Sequence, residues 1–234
     1  YIESMAVDDD TAVLRTADGD GLVDVYERES GEWGRKQTLS GADRDDGRAV
    51  RSTAIDGETI LVGMPPKSGP KRRRAESGVV HVFSRSSGTW GHRTTLSGAT
   101  GGDHFGWSVS VGDGTALIGD YSNDTACVFD RSDGRWSRER MYTAPSGHSD
   151  WYFGNTVVMD GDALLVGAPH ARFDDSVGAV YELDQPSRTN DPRGVYFTAP
   201  GTSERFGDAI ATTNGTTIVA GERSEGRAVY IYEQ

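Results

Sequence analysis

A hairpin motif that recurs five times constrains this chain more than any other feature of its sequence. In the stretch SVSVGDGTALIGD, for example, two apolar runs flank the pair Asp113-Gly114. Such a pair between two apolar runs is typical of a tight β-hairpin. The five turns are Asp9-Asp10, Asp56-Gly57, Asp113-Gly114, Asp160-Gly161 and Asn214-Gly215. Their spacings of 47, 57, 47 and 54 residues divide the whole chain into five units.

Each hairpin is followed by a third strand, and four of the units add a fourth. The third strands read GLVDVYER, GVVHVFSR, TACVFDR, GAVYELD and RAVYIYE. The fourth strands read WGRKQTL, WGHRTTL, WSRERMY and, at residues 194–199, GVYFTA. Four short antiparallel strands in ~50 residues are typical of a propeller blade. We therefore predict an all-β fold, a β-propeller of about five four-stranded antiparallel blades that closes as one ring and forms a single domain over residues 1–234.

The predicted blades span residues 1–46, 47–103, 104–151, 152–205 and 206–234, and the last of them lacks its outer strand. A third strand without a neighbour offers unpaired backbone groups to other strands. We expect another chain, or residues upstream of Tyr1, to cover this edge of the fifth blade.

The units resemble the FG-GAP repeats of the integrin α-subunit propeller, and are most similar to the bacterial and archaeal branch of that family. The resemblance is carried by Phe105-Gly106, Phe153-Gly154 and Phe206-Gly207, and by Gly167-Ala168-Pro169 after a second strand. The second unit departs from the pattern, with Ala49-Val50 for Phe-Gly and Gly63-Met64-Pro65 for Gly-Ala-Pro. In such repeats we expect the Phe to pack between blades and the Gly to let the chain turn into the innermost strand.

The calcium loops of integrin repeats are absent from these hairpins. Integrin repeats carry Asp-x-Asp-x-Asp-Gly-x-x-Asp between the first two strands, whereas this chain has a two-residue turn without room for several oxygen ligands. The nearest imitation places Asp18, Asp20 and Asp24 in a different hairpin, and a solvated Gly-rich turn is the default explanation of that spacing. We therefore expect no cofactor, with calcium as the alternative, and no metal site beyond these weak candidates.

The sequence offers little catalytic chemistry, and we predict that the chain is not an enzyme. None of the pairs among the five histidines has the spacing of metal ligands, and nucleophile elbows and phosphate loops are missing. Five-bladed propellers also host glycosidases, which need two carboxylates ~5–9 Å apart. The innermost strands offer only Glu3 and Asp208 for that role.

The loops after the second strands are the predicted ligand surface, because propeller blades hold such loops rigidly. The loop of the second unit is basic in an otherwise acidic chain, and we expect it to contact an acidic neighbour or a glycan. The candidate ligand-binding residues are Lys67, Lys71, Arg72, Arg73, Arg74, Asp120, Asp124, His170, Arg172, Asp174 and Asp175.

Charge and composition narrow the partners and the location. The net charge of -12 makes nucleic acid an unfavourable partner, and no apolar run approaches the ~18 residues of a membrane span. Aspartate outnumbers glutamate and only three of the 24 basic residues are lysine, a balance found in salt-adapted organisms and in acidic secreted proteins alike. The single cysteine, Cys127, excludes an intramolecular disulfide.

These observations favour a non-enzymatic extracellular or cell-surface module for binding or adhesion, with a protein or glycan ligand. A structural or attachment subunit of a surface assembly, including a virus particle, is an alternative. A glycan-binding lectin or a glycosidase-type propeller is a further alternative. A lectin would repeat an aromatic pocket in every blade. Trp33, Trp90 and Trp136 do recur, although packing between strands is the role we expect for them.

Overall fold

The computed structural model describes most of the chain. The described residues are 2–16, 23–40, 49–66, 77–98, 104–145, 150–173, 176–183, 196–198, 204–213, 215–223 and 226–233. They form nineteen β-strands and one 3₁₀ turn, Tyr121–Asn123.

The strands follow the five units of the sequence. The first unit contains β1 (Ile2–Asp8), β2 (Thr11–Thr16), β3 (Val23–Glu29) and β4 (Glu32–Leu39). The second contains β5 (Ser52–Asp56), β6 (Thr59–Met64), β7 (Val79–Ser86) and β8 (Thr89–Ser97). The third contains β9 (Ser108–Gly112), β10 (Thr115–Asp120), β11 (Thr125–Ser132) and β12 (Arg135–Thr143). The fourth contains β13 (Thr156–Asp160), β14 (Ala163–Phe173), β15 (Ser176–Leu183) and β16 (Tyr196–Phe197). The fifth contains β17 (Glu204–Thr213), β18 (Thr216–Arg223) and β19 (Gly226–Glu233).

The strands form antiparallel sheets in a propeller arrangement, which confirms the predicted fold class. The first three units each give a four-stranded sheet in sequence order. The fourth and fifth units share one seven-stranded sheet, because a single parallel bridge pairs Gly178 with Phe206. The separate sheets of the described residues therefore number four rather than the five that we predicted, although the five sequence units are each present.

The chain divides into two compact units, residues 1–114 and residues 115–234, and we describe each by itself. In the first, Val13 and Val25 of the first repeat share a core with Ile60, Val62 and Phe83 of the second. The second strand of the second repeat lies in this core, since every residue of β6 is buried. Apolar contact between successive repeats thus supplies the core of this unit.

The second compact unit has two cores of the same kind. Leu117 and Tyr142 of the third repeat pack with Phe153 and Tyr181 of the fourth. A second cluster joins fourth and fifth repeats through Leu165, Val180, Phe206 and Val219.

The Phe-Gly pairs have the structural roles that the resemblance implied. Phe105, Phe153 and Phe206 are almost fully buried. The glycines that follow them, Gly106, Gly154 and Gly207, have φ values of +84°, +91° and +89°. These backbone conformations are open to glycine and strained for other residues.

The carbonyl of each of these glycines lies against a glycine of the preceding repeat. A Cβ atom on Gly119 would overlap the Gly154 carbonyl oxygen, and one on Gly167 would overlap the Gly207 carbonyl oxygen. In the compact unit of residues 1–114, Gly63 of the second repeat and Gly106 of the third make the same contact. The Ser52 hydroxyl also donates to the Gly106 carbonyl, at 2.9 Å. A second-strand glycine of one repeat therefore packs against the Phe-Gly glycine of the next repeat.

The hairpin turns are tied together by the aspartate that ends an innermost strand. Asp8 Oδ2 accepts the Gly57 backbone N–H at 2.6 Å, and Asp56 Oδ2 accepts the Asp113 backbone N–H at 3.1 Å. Each bond joins one repeat to the turn of the next.

The sheet of the fifth repeat ends with β19, which pairs with β18 in the described residues. Val229 and Ile231 of β19 are each 65% exposed. The prediction that another chain or upstream residues cover this strand has no test within the chain.

Candidate functional site

The described residues of the second compact unit place an aromatic cluster beside two predicted ligand residues. We call Tyr121, Asp124, Tyr152 and His170 the Tyr152 surface. Tyr121 lies in the 3₁₀ turn after β10, and Asp124 ends that turn. Tyr152 lies in the turn before β13, while His170 and Arg172 belong to β14. The ends of second strands and a Phe-Gly turn thus build one surface.

Asp124 fixes the turn that carries Tyr152. Its Oδ2 accepts the Asp150 backbone N–H at 2.8 Å and its Oδ1 accepts the Phe153 backbone N–H at 2.9 Å. Its own carbonyl accepts the Ala144 N–H at 3.0 Å. Burial raises the pKa of Asp124 above its ordinary value of 3.8, while the backbone N–H groups oppose the rise. The carboxylate therefore orders the loop between residues 150 and 153.

Tyr152 is held in a conformation that side-chain-bearing residues rarely adopt. Its φ is +57°, in the left-handed region. Its ring stacks on the His170 imidazole with centroids 4.2 Å apart and an angle of 25° between the planes. The Tyr121 ring meets it edge-on at 5.2 Å. The Trp151 carbonyl accepts the His170 backbone N–H at 3.0 Å, so the turn and β14 are joined beside the stack.

Asp120 shapes the turn instead of facing outward. It is buried, and it accepts hydrogen bonds from the Ser122 hydroxyl at 2.9 Å and the Asn123 amide at 2.8 Å. Arg172 by contrast is exposed. The structure therefore brings Asp120, Asp124 and His170 into one neighbourhood.

Most of the other predicted site residues lie outside the described residues. This applies to Lys67, Lys71, Arg72, Arg73, Arg74, Asp174 and Asp175, and to the weak metal candidates Asp18 and Asp20. Asp24 is described. It is buried, accepts the Thr38 hydroxyl at 2.5 Å and pairs with Arg35 at 3.7 Å, so its carboxylate joins β3 to β4.

Sequence reasoning missed Tyr121 and Tyr152. A signal was present, because an aromatic or imidazole side chain directly precedes Phe-Gly in two repeats, as Tyr152 and as His104. His104 likewise contacts a ring, that of Trp107, at 6.0 Å. The stacking partners, however, come from different strands and could not be paired from the sequence.

The three recurring tryptophans differ in burial, since Trp90 is buried while Trp33 is exposed, but each contacts the neighbouring strand. Each lies directly across from an arginine of the preceding strand. The pairs are Arg28 with Trp33, Arg85 with Trp90 and Arg131 with Trp136, at 5.6, 6.0 and 6.0 Å from guanidinium carbon to ring centroid. These distances suit cation–π contacts.

The two carboxylates considered for glycoside hydrolysis each have a partner. Glu3 forms an ion pair with Arg15 at 3.4 Å. Asp208 accepts hydrogen bonds from Asn155 and Arg205, each at 3.3 Å. Over the described ranges, no three His, Cys, Asp or Glu side chains converge as metal ligands would. Nor does this part of the chain hold a helix of the length and apolarity that a membrane crossing requires.

Comparison with known proteins identifies FG-GAP repeats in part of the chain. The FG-GAP repeat model matches residues 92–134 and residues 136–183, which together are less than half of the chain. The predicted repeats are thereby confirmed in the third and fourth units. No curated protein matches the chain significantly.

Two solved structures illustrate the fold similarity. A chain in a crystal structure of the mitotic checkpoint complex matches 99% of this chain at 16% identity, with a TM-score of 0.61. This protein spans 60% of the length of that chain. The six-bladed β-propeller lectin of Aleuria aurantia, which recognises fucose, matches 97% of this chain and 77% of its own at 13% identity, with a TM-score of 0.55. At these identities the likeness concerns the fold alone.

Proposed function

We propose that the chain is a non-enzymatic binding or adhesion module that acts outside the cell or at the cell surface, and that its ligand contacts the Tyr152 surface. The observation that carries this proposal is the fixed stack of the Tyr152 ring on the His170 imidazole, with centroids 4.2 Å apart. The positive φ of Tyr152 recurs at Arg205, which precedes Phe206-Gly207 as Tyr152 precedes Phe153-Gly154, so that backbone conformation belongs to the turn of the repeat.

The surroundings of Tyr152 support a role in recognition. Its turn is bonded at both ends by the Asp124 carboxylate, so little conformational freedom remains to be lost on binding. Aromatic rings of this kind are enriched at interaction surfaces because they combine a large apolar area with few rotatable bonds. The exposed Arg172 adds a cation for an acidic group of the ligand.

The proposal is tested by retention of cell-surface proteins and glycoconjugates on the immobilised chain. Tyr152→Asn removes the ring and suits the left-handed backbone, so the fold is preserved. Trp33→Ala is the matched control, because Trp33 is an exposed aromatic residue in a different repeat. We expect the wild type and Trp33→Ala to retain the same ligand and Tyr152→Asn to lose it. Equal retention by all three proteins would reject the Tyr152 surface.

A glycan is the second candidate ligand, favoured by the aromatic cluster and its neighbouring polar groups. Aromatic faces pack against the C–H groups of sugar rings, while carboxylate and guanidinium groups bind hydroxyls. A glycan array with the same three proteins separates this ligand class from a protein. Binding by the wild type that Tyr152→Asn abolishes supports it, and an array without bound glycan rejects it.

We also propose that the chain lacks glycosidase activity. Glu3 and Asp208 are both engaged in polar contacts with neighbouring side chains, which is how structural carboxylates behave. Hydrolysis of a glycan panel by the wild type that is lost in Glu3→Gln and Asp208→Asn would overturn this.

The exposed strand β19 supports a further partner, and with it the alternative role as a structural or attachment subunit of a surface assembly or virus particle. Among the described residues β19 pairs only with β18, which leaves its other backbone edge suited to pairing with another strand, and its apolar residues Val229 and Ile231 are exposed. Backbone hydrogen exchange over residues 227–233 should be slower in the native assembly than in the isolated chain. Equal exchange in the two would count against a covering partner.

A further inference from the structure

Two histidines of the second repeat lie side by side although their sequence spacing gave no sign of it. His81 of β7 pairs with Thr95 of β8, while His92 of β8 pairs with Phe83, two residues beyond His81, so the two histidines are diagonal neighbours across the strands. The His81 Nδ1 and His92 Nε2 atoms are 3.2 Å apart. The sequence prediction that no two histidines have metal-ligand spacing rests on positions along the chain. His81 and His92 instead come together because their strands pair.

A third donor atom completes a triangle with the two imidazole nitrogens. Thr95 Oγ1 lies 3.0 Å from His81 Nδ1 and 3.2 Å from His92 Nε2. Two nitrogens bound tetrahedrally to Zn²⁺ at about 2.0–2.1 Å would be about 3.3 Å apart. The spacings of the three donor atoms are therefore close to those along one face of a tetrahedral metal site.

The surroundings of the triangle suit a site that is fixed on one side and open on the other. His81 is 1% exposed, and both imidazoles contact the buried Phe83 ring, with centroids 6.5 and 5.5 Å from it. His92 and Thr95 are exposed, so an ion and a fourth ligand from solvent have access. The chain's net charge of -12 raises the local concentration of cations.

We propose that His81, His92 and Thr95 form a binding site for a divalent transition-metal ion, with Zn²⁺ as the probe. Imidazole nitrogen is a preferred ligand of such ions, and a hydroxyl with water fills the remaining positions. The site is independent of the Tyr152 surface, which lies in the other compact unit. Bound metal would join β8 to β7 and so stabilise the outer strand of this repeat.

Isothermal titration of the full chain with ZnCl₂ tests the proposal. His92 is exposed, so His92→Ala should fold normally, which its thermal midpoint without metal verifies. We expect one Zn²⁺ per chain for the wild type, a loss of affinity greater than about tenfold in His92→Ala, and a smaller loss in Thr95→Val. The matched control His170→Ala should bind as the wild type does.

Excess Mg²⁺ separates this site from binding by surface carboxylates. Mg²⁺ prefers oxygen ligands and should leave Zn²⁺ binding unchanged. The proposal is overturned if the wild type fails to bind millimolar Zn²⁺, if His92→Ala binds it equally well, or if Mg²⁺ displaces it.

Discussion

Single glycines set how closely successive repeats approach. Gly119 lies near the end of β10 and Gly167 lies within β14, and at each the carbonyl of the next repeat's Phe-Gly glycine occupies the place of a side chain. The Gly of the Gly-Ala-Pro stretch and the Gly of Phe-Gly are thus two sides of one contact. The second repeat has Gly63-Met64-Pro65 in place of Gly-Ala-Pro, and it keeps the glycine that this contact requires.

Gly119→Ala should therefore destabilise the protein. Its Cβ would overlap the Gly154 carbonyl oxygen, which is backbone and cannot move aside without shifting the turn. We expect a loss of about 1–3 kcal/mol in the free energy of unfolding, measured by urea denaturation. Gly34→Ala is the control, since a Cβ there meets nothing within 4 Å, and it should change stability by less than about 0.5 kcal/mol. Equal stability of both variants would contradict the steric account.

Asp124 should make stability depend on pH in the direction opposite to that of most carboxylates. Burial raises its pKa in the folded protein, so the folded state binds this proton more tightly than the unfolded chain. The resulting contribution to stability is present below 3.8 and is lost as pH rises through the raised pKa.

Urea denaturation of the wild type and Asp124→Asn between about pH 3 and about pH 7 measures this effect, because other groups cancel in the difference. The variant loses one acceptor for a buried N–H, a constant cost of about 1–3 kcal/mol. The stability advantage of the wild type should shrink as pH rises. An advantage that stays level or grows would show that the carboxylate is not disfavoured by burial.

At the scale of elements, the turn between third and fourth strands uses one pattern in three repeats. The sequence Arg-x-x-Gly-x-Trp places an arginine and a tryptophan across from each other, at Arg28 and Trp33 and again at Arg85 and Trp90. Their environments differ, since Trp33 is 45% exposed and Trp90 is 3% exposed. Gln37 of the preceding repeat exchanges two hydrogen bonds with the Trp90 backbone, at 2.7 and 3.0 Å.

Alanine at the two tryptophans should therefore have unequal effects. Trp90→Ala leaves a cavity in the core shared by the first two repeats and should cost about 3–5 kcal/mol. Trp33→Ala removes a solvent-facing ring and should cost less than about 1 kcal/mol. Thermal denaturation of the two variants checks the difference, and similar losses would mean that the tryptophans act alike despite their burial.

Much of the fold followed from the sequence, because hairpin turns and strand patterns are local. The Phe-Gly turns and buried second strands could be placed before the structure was known. The parallel bridge from Gly178 to Phe206, which joins the last two sheets, could not, since it depends on how one repeat meets the next. The stack of Tyr152 on His170 was unpredictable for the same reason: its members come from separate strands.

At the scale of the whole molecule, charge is the dominant physical feature. The chain has 36 acidic and 24 basic residues, so repulsion among carboxylates opposes the folded state at low ionic strength. If this surface belongs to a salt-adapted protein, screening should relieve the repulsion, and the thermal midpoint should rise from low to molar NaCl. A level or falling midpoint would exclude salt adaptation.

The central claim is that the Tyr152 ring serves recognition and not stability. The measurement that tests it most directly pairs the thermal midpoint with ligand retention for Tyr152→Asn. Relief of about 1–3 kcal/mol of strain should offset the lost stacking of about 0.5–1.5 kcal/mol, so stability should be unchanged or higher. Retention of surface ligand should nevertheless be lost, while Trp33→Ala retains it. A variant that is destabilised yet retains ligand as well as the wild type would contradict the claim.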